Sequence, residues 1–291
     1  MSAPPAPDAD KIGEALKAQR FQMLEDIARE LAGEVVFPTY FDAAFRLRDA
    51  LQDPDISIAH VAEIVRLEPL VAAKILHLAN SVMYCPSGVP AKDLQAAITR
   101  LGLNVVRTTA LAIAMNQLMR SKAILPFKEQ ARMLWVHSLQ TAVAARLLAR
   151  MHTRINPEEA LLAGLVHDLG AFYMLYRAAQ YPELCARPET VKYVIVQWHE
   201  SIGVTLLQAL GLPEEIVEAT IDHDQPRPAP DPIRSLADVV YLANVLAGEH
   251  FEWIYQDVDP EAGDPAAIRE RFSPLMEQIG RETAEMQAAF A

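Results

Sequence analysis

Leu165-Val166-His167-Asp168-Leu169-Gly170 is the stretch of this sequence on which the fold turns. An imidazole is followed directly by a carboxylate at the end of an almost wholly apolar run. The pair offers the nitrogen and oxygen donors that suit Mg, Mn, Fe or Zn. The run before it reads as a helix: Asn156-Pro157-Glu158-Glu159 supplies a cap, a first-turn proline and acids for the positive dipole end, and Gly170 supplies a stop. On that reading Asp168 needs explaining. Aspartate is a poor helix-interior residue, and at a helix C-terminus it faces the negative dipole end. A cation, either a bound ion or an arginine, is therefore expected beside it.

Working outward, apolar spacing predicts helices over most of the chain. The first spans 10–32, with Gly33 as its stop. The next runs from a Thr39/Asp42 capping pair to about Gln52. Others run from Ser57 to Arg66, from Glu68-Pro69 to about Asn80, over 93–101, and from an Asn104 cap to residue 120. Residues 83–92 hold Pro86, Gly88 and Pro90 and read as a loop. The second half reads as helices over 128–151, 188–209, 213–223 and 232–248. Pro226, Pro228, Pro230 and Pro232 form a stiff connector before the last of these. An acidic Pro/Gly linker from Asp257 to Pro265 precedes one more amphipathic helix over 266–290. Residues 1–9, rich in Pro and Ala, read as disordered. No strand-period segment exceeds four residues, so the expected class is all-α.

Composition agrees. The 291 residues are 52% hydrophobic but only 7% aromatic, so Ala, Leu, Val and Ile must fill the core, which is a helix-former's palette. The net charge of −12 argues against nucleic acid and anionic membranes as partners. Cys85 and Cys185 make no metal-spaced pair and suggest a reducing compartment. The N-terminus lacks a signal-peptide pattern, and no uncharged apolar run reaches the roughly 18 residues of a membrane span. A soluble, cytoplasmic protein is expected.

Among eight histidines, His137 and His167 fall at helix positions flanked by small and apolar residues. A buried neutral imidazole needs two partners, and a metal plus an acceptor is one solution. Asp238, in Ser235-Leu236-Ala237-Asp238-Val239-Val240-Tyr241, is a second lone acid in an apolar helix. A cap or a buried salt bridge is its competing reading.

Taken together, His137, then His167-Asp168, then Asp238 resembles the H…HD…D ligand order of the HD superfamily of metal-dependent phosphohydrolases. The similarity is stronger to its regulatory HDOD branch. It runs from Phe37-Pro38-Thr39 through Pro54-Asp55-Ile56-Ser57, Glu68-Pro69-Leu70 and Ala97-Ile98-Thr99-Arg100-Leu101-Gly102. It continues through Trp135-Val136-His137-Ser138, the His167-Asp168 stretch and Gly211-Leu212-Pro213-Glu214-Glu215, then loosely to Asn244. The resemblance implies an N-terminal helical lobe (34–123) packed on an HD-like helical lobe (124–250). A disordered stretch plus helix (1–33) would precede them, and an acidic linker with a C-terminal helix (251–291) would follow.

It also implies a signalling module, with no turnover expected, that binds a protein partner or a small regulatory ligand through the inter-lobe cleft or the apolar face of 266–290. A homodimer through that last helix is a further expectation. The alternative is a phosphohydrolase in which His137, His167, Asp168 and Asp238 hold one divalent ion that activates water. His199 and His223, with Arg100 and Arg107, are secondary ligand-binding candidates. The sequence departs from active relatives in carrying Gly170-Ala171 where they often have Gly-Lys. It departs from the cyclic-di-GMP hydrolases in carrying His223-Asp224 for His-His and in lacking a GYP triplet. Ser57 to Asn80 superficially resembles a helix-turn-helix, but the acidic balance and the apolar second helix argue for lobe packing instead.

Overall fold

A computed structural model describes residues 14–32, 39–86, 88–248 and 263–290. The expectations for the Pro/Ala-rich start, the Gly33 stop, the Phe37-Pro38 opening and most of the acidic linker fall outside these residues.

The described residues contain helices and no strand, as the all-α expectation required. In chain order the helices are α1 (Glu14–Ala32), α2 (Asp42–Ala50), α3 (Ile58–Arg66), α4 (Pro69–Ala79), α5 (Leu94–Leu101), α6 (Leu103–Arg120), α7 (Lys128–His152), α8 (Pro157–Val166), α9 (Leu169–Ala178), α10 (Pro182–Cys185), α11 (Pro188–Ala209), α12 (Glu214–Glu218), α13 (Leu236–Ala247), α14 (Pro265–Arg271) and α15 (Ser273–Phe290).

Local chemistry explains most of the boundaries. The Ser57 hydroxyl accepts from the His60 amide at the start of α3, and the Asn156 side chain accepts from the Glu158 amide ahead of Pro157 at the start of α8. Four expectations need correcting. Thr39 lies in a 3-10 turn, and α2 starts without a side-chain cap. Asn104 lies inside α6, whose N-cap is Gly102 at φ 79°. The 213–223 helix ends at Glu218, before Asp222 takes a left-handed φ of 56°. The final helix breaks at Phe272 into α14 and α15. Helices α9 and α10 are additions: the sequence pattern stops the preceding helix at Gly170 and places none between there and residue 188.

The core centres on α8, where every residue from Ala160 to Val166 is buried. Helix α8 packs on α7, α6 and α13, and α9 packs on α11. Helix α6 touches α2, α4 and α5 on the N-terminal side as well as α7, α8 and α9, so one continuous apolar core joins the two halves. Two close approaches set the geometry. A Cβ at Gly164 would lie 2.8 Å from both the Ala142 Cα and the Thr141 carbonyl oxygen of α7. A Cβ at Gly170 would lie 1.9 Å from the His199 carbonyl oxygen of α11. Only glycine permits either contact.

The termini dock where periodicity could not say. Helix α1 lies on α9, α10 and α11, with the Tyr181 hydroxyl donating to Asp26 at 2.6 Å. The apolar face of α15, including Leu275, Ile279, Met286 and Phe290, is buried against α7, α4 and α6. That face, expected to meet a partner or a second copy, is therefore consumed within the chain. No described helix is long and apolar enough to cross a membrane.

Candidate metal centre

Helix α8 ends at Val166 and α9 begins at Leu169, so His167 and Asp168 form the turn between them. This corrects the sequence argument. Asp168 sits at the N-cap of α9, where the dipole favours a carboxylate, yet its side chain makes no capping bond. It points into a cluster instead. His137 comes to it from α7, His199 from α11, and His223 and Asp224 from the segment after α12. None of these six residues is more than 8% exposed.

Each Asp168 oxygen faces one pair of imidazoles. Oδ2 is 3.2 Å from His167 Nε2 and 3.8 Å from His137 Nε2. Oδ1 is 3.3 Å from His223 Nε2 and 3.7 Å from His199 Nε2. Across the centre, His137 Nε2 and His167 Nε2 are 3.3 Å apart. Asp224 Oδ2 lies 3.4 Å from His199 Nε2 and 3.6 Å from His223 Nε2. Ligand bonds of about 2.1 Å give donor–donor edges of roughly 3.0–3.4 Å in octahedral or tetrahedral sites. The observed separations match or slightly exceed those edges. Two trios, His137-His167-Asp168 and Asp168-His199-His223, each have ligand atoms close enough to share an ion.

The second ring nitrogens decide the tautomers. His167 Nδ1 lies 2.8 Å from the Gly164 carbonyl, His199 Nδ1 2.9 Å from the Ile195 carbonyl and His223 Nδ1 2.7 Å from the Thr220 carbonyl. A carbonyl can only accept, so Nδ1 carries the proton in all three, and Nε2 faces the centre. Among the described residues, the buried Nε2 atoms of His199 and His223 and Oδ2 of Asp224 have no hydrogen-bond partner. Buried polar groups are rarely left so, and a cation between them would satisfy all three. The residues therefore fit a divalent ion.

The charges agree with that fit. Burial alone would lower the His223 imidazole, but Asp224 and Asp168 outweigh it and push it up to about 10. His199 is raised in the same way, against burial, chiefly by Asp224. Burial would raise Asp168, yet His167 and His223 hold it well below the usual carboxylate range, and Asp224 is likewise depressed by His223 and His199. The centre is built to concentrate positive charge, which a divalent ion supplies in competition with protons.

The site residues read from the sequence divide. His137, His167 and Asp168 meet, and His199 and His223, expected only as secondary candidates, are full members. Asp238 does not join them. Its carboxylate accepts from the Ser235 amide at 3.1 Å while the Ser235 hydroxyl accepts from the Asp238 amide, closing a capping box at the start of α13 beside Arg227. The side chain that α13 delivers is Asn244, six residues on. Its Nδ2 donates to the His223 carbonyl at 3.1 Å and to Asp224 Oδ1 at 2.9 Å, so its Oδ1 faces His137 Nε2 at 2.9 Å; His137 Nε2 donates to it when protonated and can ligate an ion only when that proton has left.

The two arginines also lie elsewhere. Arg100 donates to the Ala79 and Val89 carbonyls, both at 2.8 Å, and so ties down the loop after α4. Arg107, on α6, has Glu159 as its charged neighbour, and burial lowers its pKa. Sequence reasoning missed Asp224 and Asn244 as members. The available signals were the adjacency of Asp224 to His223 and one amide in the apolar run of α13.

Comparison with known proteins places the fold. The profile of the HDOD domain family matches residues 37–226. A provisionally named metal-dependent phosphohydrolase from Shewanella amazonensis SB2B has a TM-score of 0.72 at 24% identity, covering 94% of this chain and all of that one. An HDOD domain protein of unknown function from Geobacter sulfurreducens gives 0.54 at 21% identity, covering 92% and 98%. A provisionally named signal transduction protein from Marinobacter aquaeolei VT8 gives 0.56 at 19% identity, covering 93% and 65%. At these identities the likeness is one of fold. An uncharacterized protein of Treponema pallidum (strain Nichols) is 24% identical over 268 residues. The match takes in 84% of this chain but 48% of that protein, so the chain spans about half the length of its curated relative.

Proposed function

The chain belongs to the HDOD domain family, and from that premise we propose that it is a regulatory signalling module, not an enzyme in turnover, whose buried His/Asp centre holds a divalent ion. The observation that carries this reading is the burial of the whole donor set. A catalytic metal keeps one coordination position open to substrate, whereas a closed site organises structure. Here the donors come from α7, the α8–α9 turn, α11 and the segment after α12. An ion among them ties those elements together and makes their arrangement respond to metal supply. Ala171, itself buried, stands where active relatives often carry the phosphate-holding lysine. The free thiols Cys85 and Cys185 support a reducing, cytoplasmic setting.

The second reading is a phosphohydrolase, favoured by one specific feature. Asp168 presents one oxygen to each trio of donors, as a carboxylate shared by two ions would. A divalent ion there would lower the pKa of a bound water and take up charge from a phosphoryl oxygen. His167 and His223 would hold the shared carboxylate ionised, and the Nδ1 bonds to backbone carbonyls would keep the imidazoles aimed. One experiment separates the readings. Protein purified without chelator is analysed for Mn, Fe and Zn and then assayed on a panel of phosphodiesters and nucleotides. Stoichiometric metal that is lost on His167→Ala, with no turnover by the loaded protein, is the expected result. Metal-dependent hydrolysis abolished by Asp168→Asn would establish the second reading instead.

A further inference from the structure

A second site lies away from the metal centre, where the end of α6, the 3-10 turn Lys122–Phe127 and the start of α7 meet α15. It is a cavity of about 570 Å³, in the range of pockets that hold small molecules. In a chain of net charge −12 its rim collects four cations: Arg120, Lys122, Lys128 and Arg132. Arg132 is engaged by Glu129 on its own helix. The other three have no ion-pair partner among the described residues. The rim therefore presents net positive charge to an anion.

The wall and floor narrow the choice of anion. Met119, Trp135 and Val136 provide apolar surface. The floor is polar. Asn116 is only 8% exposed, yet its amide makes no hydrogen bond with any described residue. An alkyl chain would seal that amide in without a partner, at a cost of about 1–3 kcal/mol. A flat ring with its own donors and acceptors would satisfy it. Bare phosphate would leave the apolar wall unused.

We propose that this cavity binds an organic anion with a hydrogen-bonding heteroaromatic body, of which nucleoside monophosphates are the simplest members. The ring would lie against the apolar wall with its polar edge on Asn116, and the phosphate would sit at the cationic rim. The inference rests on the cavity alone and not on the metal reading. The two sites share α7, since Trp135 and Val136 line the cavity and His137 follows them into the metal centre.

The test is calorimetric titration of the full chain with AMP, GMP, CMP and UMP, with inorganic phosphate and dodecanoate as comparisons. At least one nucleotide is expected to bind with a dissociation constant of about 0.1 mM or better. Asn116→Leu should weaken it roughly ten-fold through the lost polar partner. The double exchange Lys122→Glu/Lys128→Glu, confined to exposed side chains, should weaken it at least as much and flatten its salt dependence. His167→Ala should leave it in place while removing metal. If Asn116→Leu does not fold, the surface double exchange decides. The proposal is overturned if no nucleotide binds up to about 5 mM, if dodecanoate binds tighter than every nucleotide, or if nucleotide binding survives the charge reversal. Loss of nucleotide binding in His167→Ala with retention in Asn116→Leu would also overturn it, by placing the ligand at the metal centre.

Discussion

Asp168 and Asp238 look alike in the sequence: each is a lone carboxylate in an apolar helical run. The structure separates them by what surrounds the side chain. Asp168 is 4% exposed and surrounded by imidazoles, whereas Asp238 turns back on its own helix end. This gives opposite expectations for the two substitutions. Asp238→Ala should cost about 1 kcal/mol, the usual value of a cap, and should leave bound metal unchanged by elemental analysis. Asp168→Asn should abolish metal binding, because it removes the oxygen pair that both trios share. Metal loss in Asp238→Ala would mean that the capping box is not the main role of that carboxylate. The difference was not legible in one dimension. Ser235-x-x-Asp238 is a capping pattern in plain view, but a capping pattern and a ligand in an apolar run are the same letters until the neighbouring helices are placed.

At the scale of elements, two glycine contacts and one buried cation fix which helices touch. Gly170 and Gly203 face each other where α9 crosses α11, but unequally. A Cβ at Gly170 meets backbone at 1.9 Å, while one at Gly203 comes no nearer than 3.4 Å. Gly170→Ala should therefore destabilise by about 3 kcal/mol, at the upper end of ordinary overpacking, and should weaken metal binding by pushing His199 out of position. Gly203→Ala should cost under about 1 kcal/mol. Thermal melts and metal titrations of the two variants check the pair, and equal effects would contradict the crossing geometry.

Arg146, on α7, plays the corresponding role on the other side. It pairs with Glu158 of α8 at 2.9 Å and Glu282 of α15 at 3.6 Å and lies over the Tyr84 ring. Burial pushes the Tyr84 phenol up, so it stays a neutral donor to Glu158. Arg146→Met should cost about 3–5 kcal/mol by stranding two carboxylates, and it should loosen α15 by hydrogen exchange. Intra-helix spacing reveals none of these partners, since they lie on different elements. Most of the helices were legible, because caps and proline act locally.

At the scale of the whole molecule, the metal is expected to act as a stabiliser. An ion that binds only the folded chain adds about 2.7 kcal/mol at a hundred times its dissociation constant. For a chain of this size that raises Tm by about 4–5 °C. Differential scanning calorimetry with and without Mn, Fe or Zn tests this, with chelator reversing the gain and His167→Ala eliminating it. A Tm indifferent to metal would remove the regulatory reading, whatever the centre's geometry.

By itself the sequence determined most of the helices, the Ser57 and Asn156 caps, the lack of strands among the described residues and three members of the centre, because hydrophobic period, capping and the His-Asp adjacency are properties of neighbouring residues. Only the tertiary structure decided that His199, His223, Asp224 and Asn244 complete the centre and that Asp238 does not. It alone showed that the last helix spends its apolar face on α7. Those outcomes depend on how closely α7, α8, α9, α11 and α13 approach one another. Gly164 and Gly170 set that distance through contacts with residues some twenty to thirty positions away in the chain, which no local pattern records.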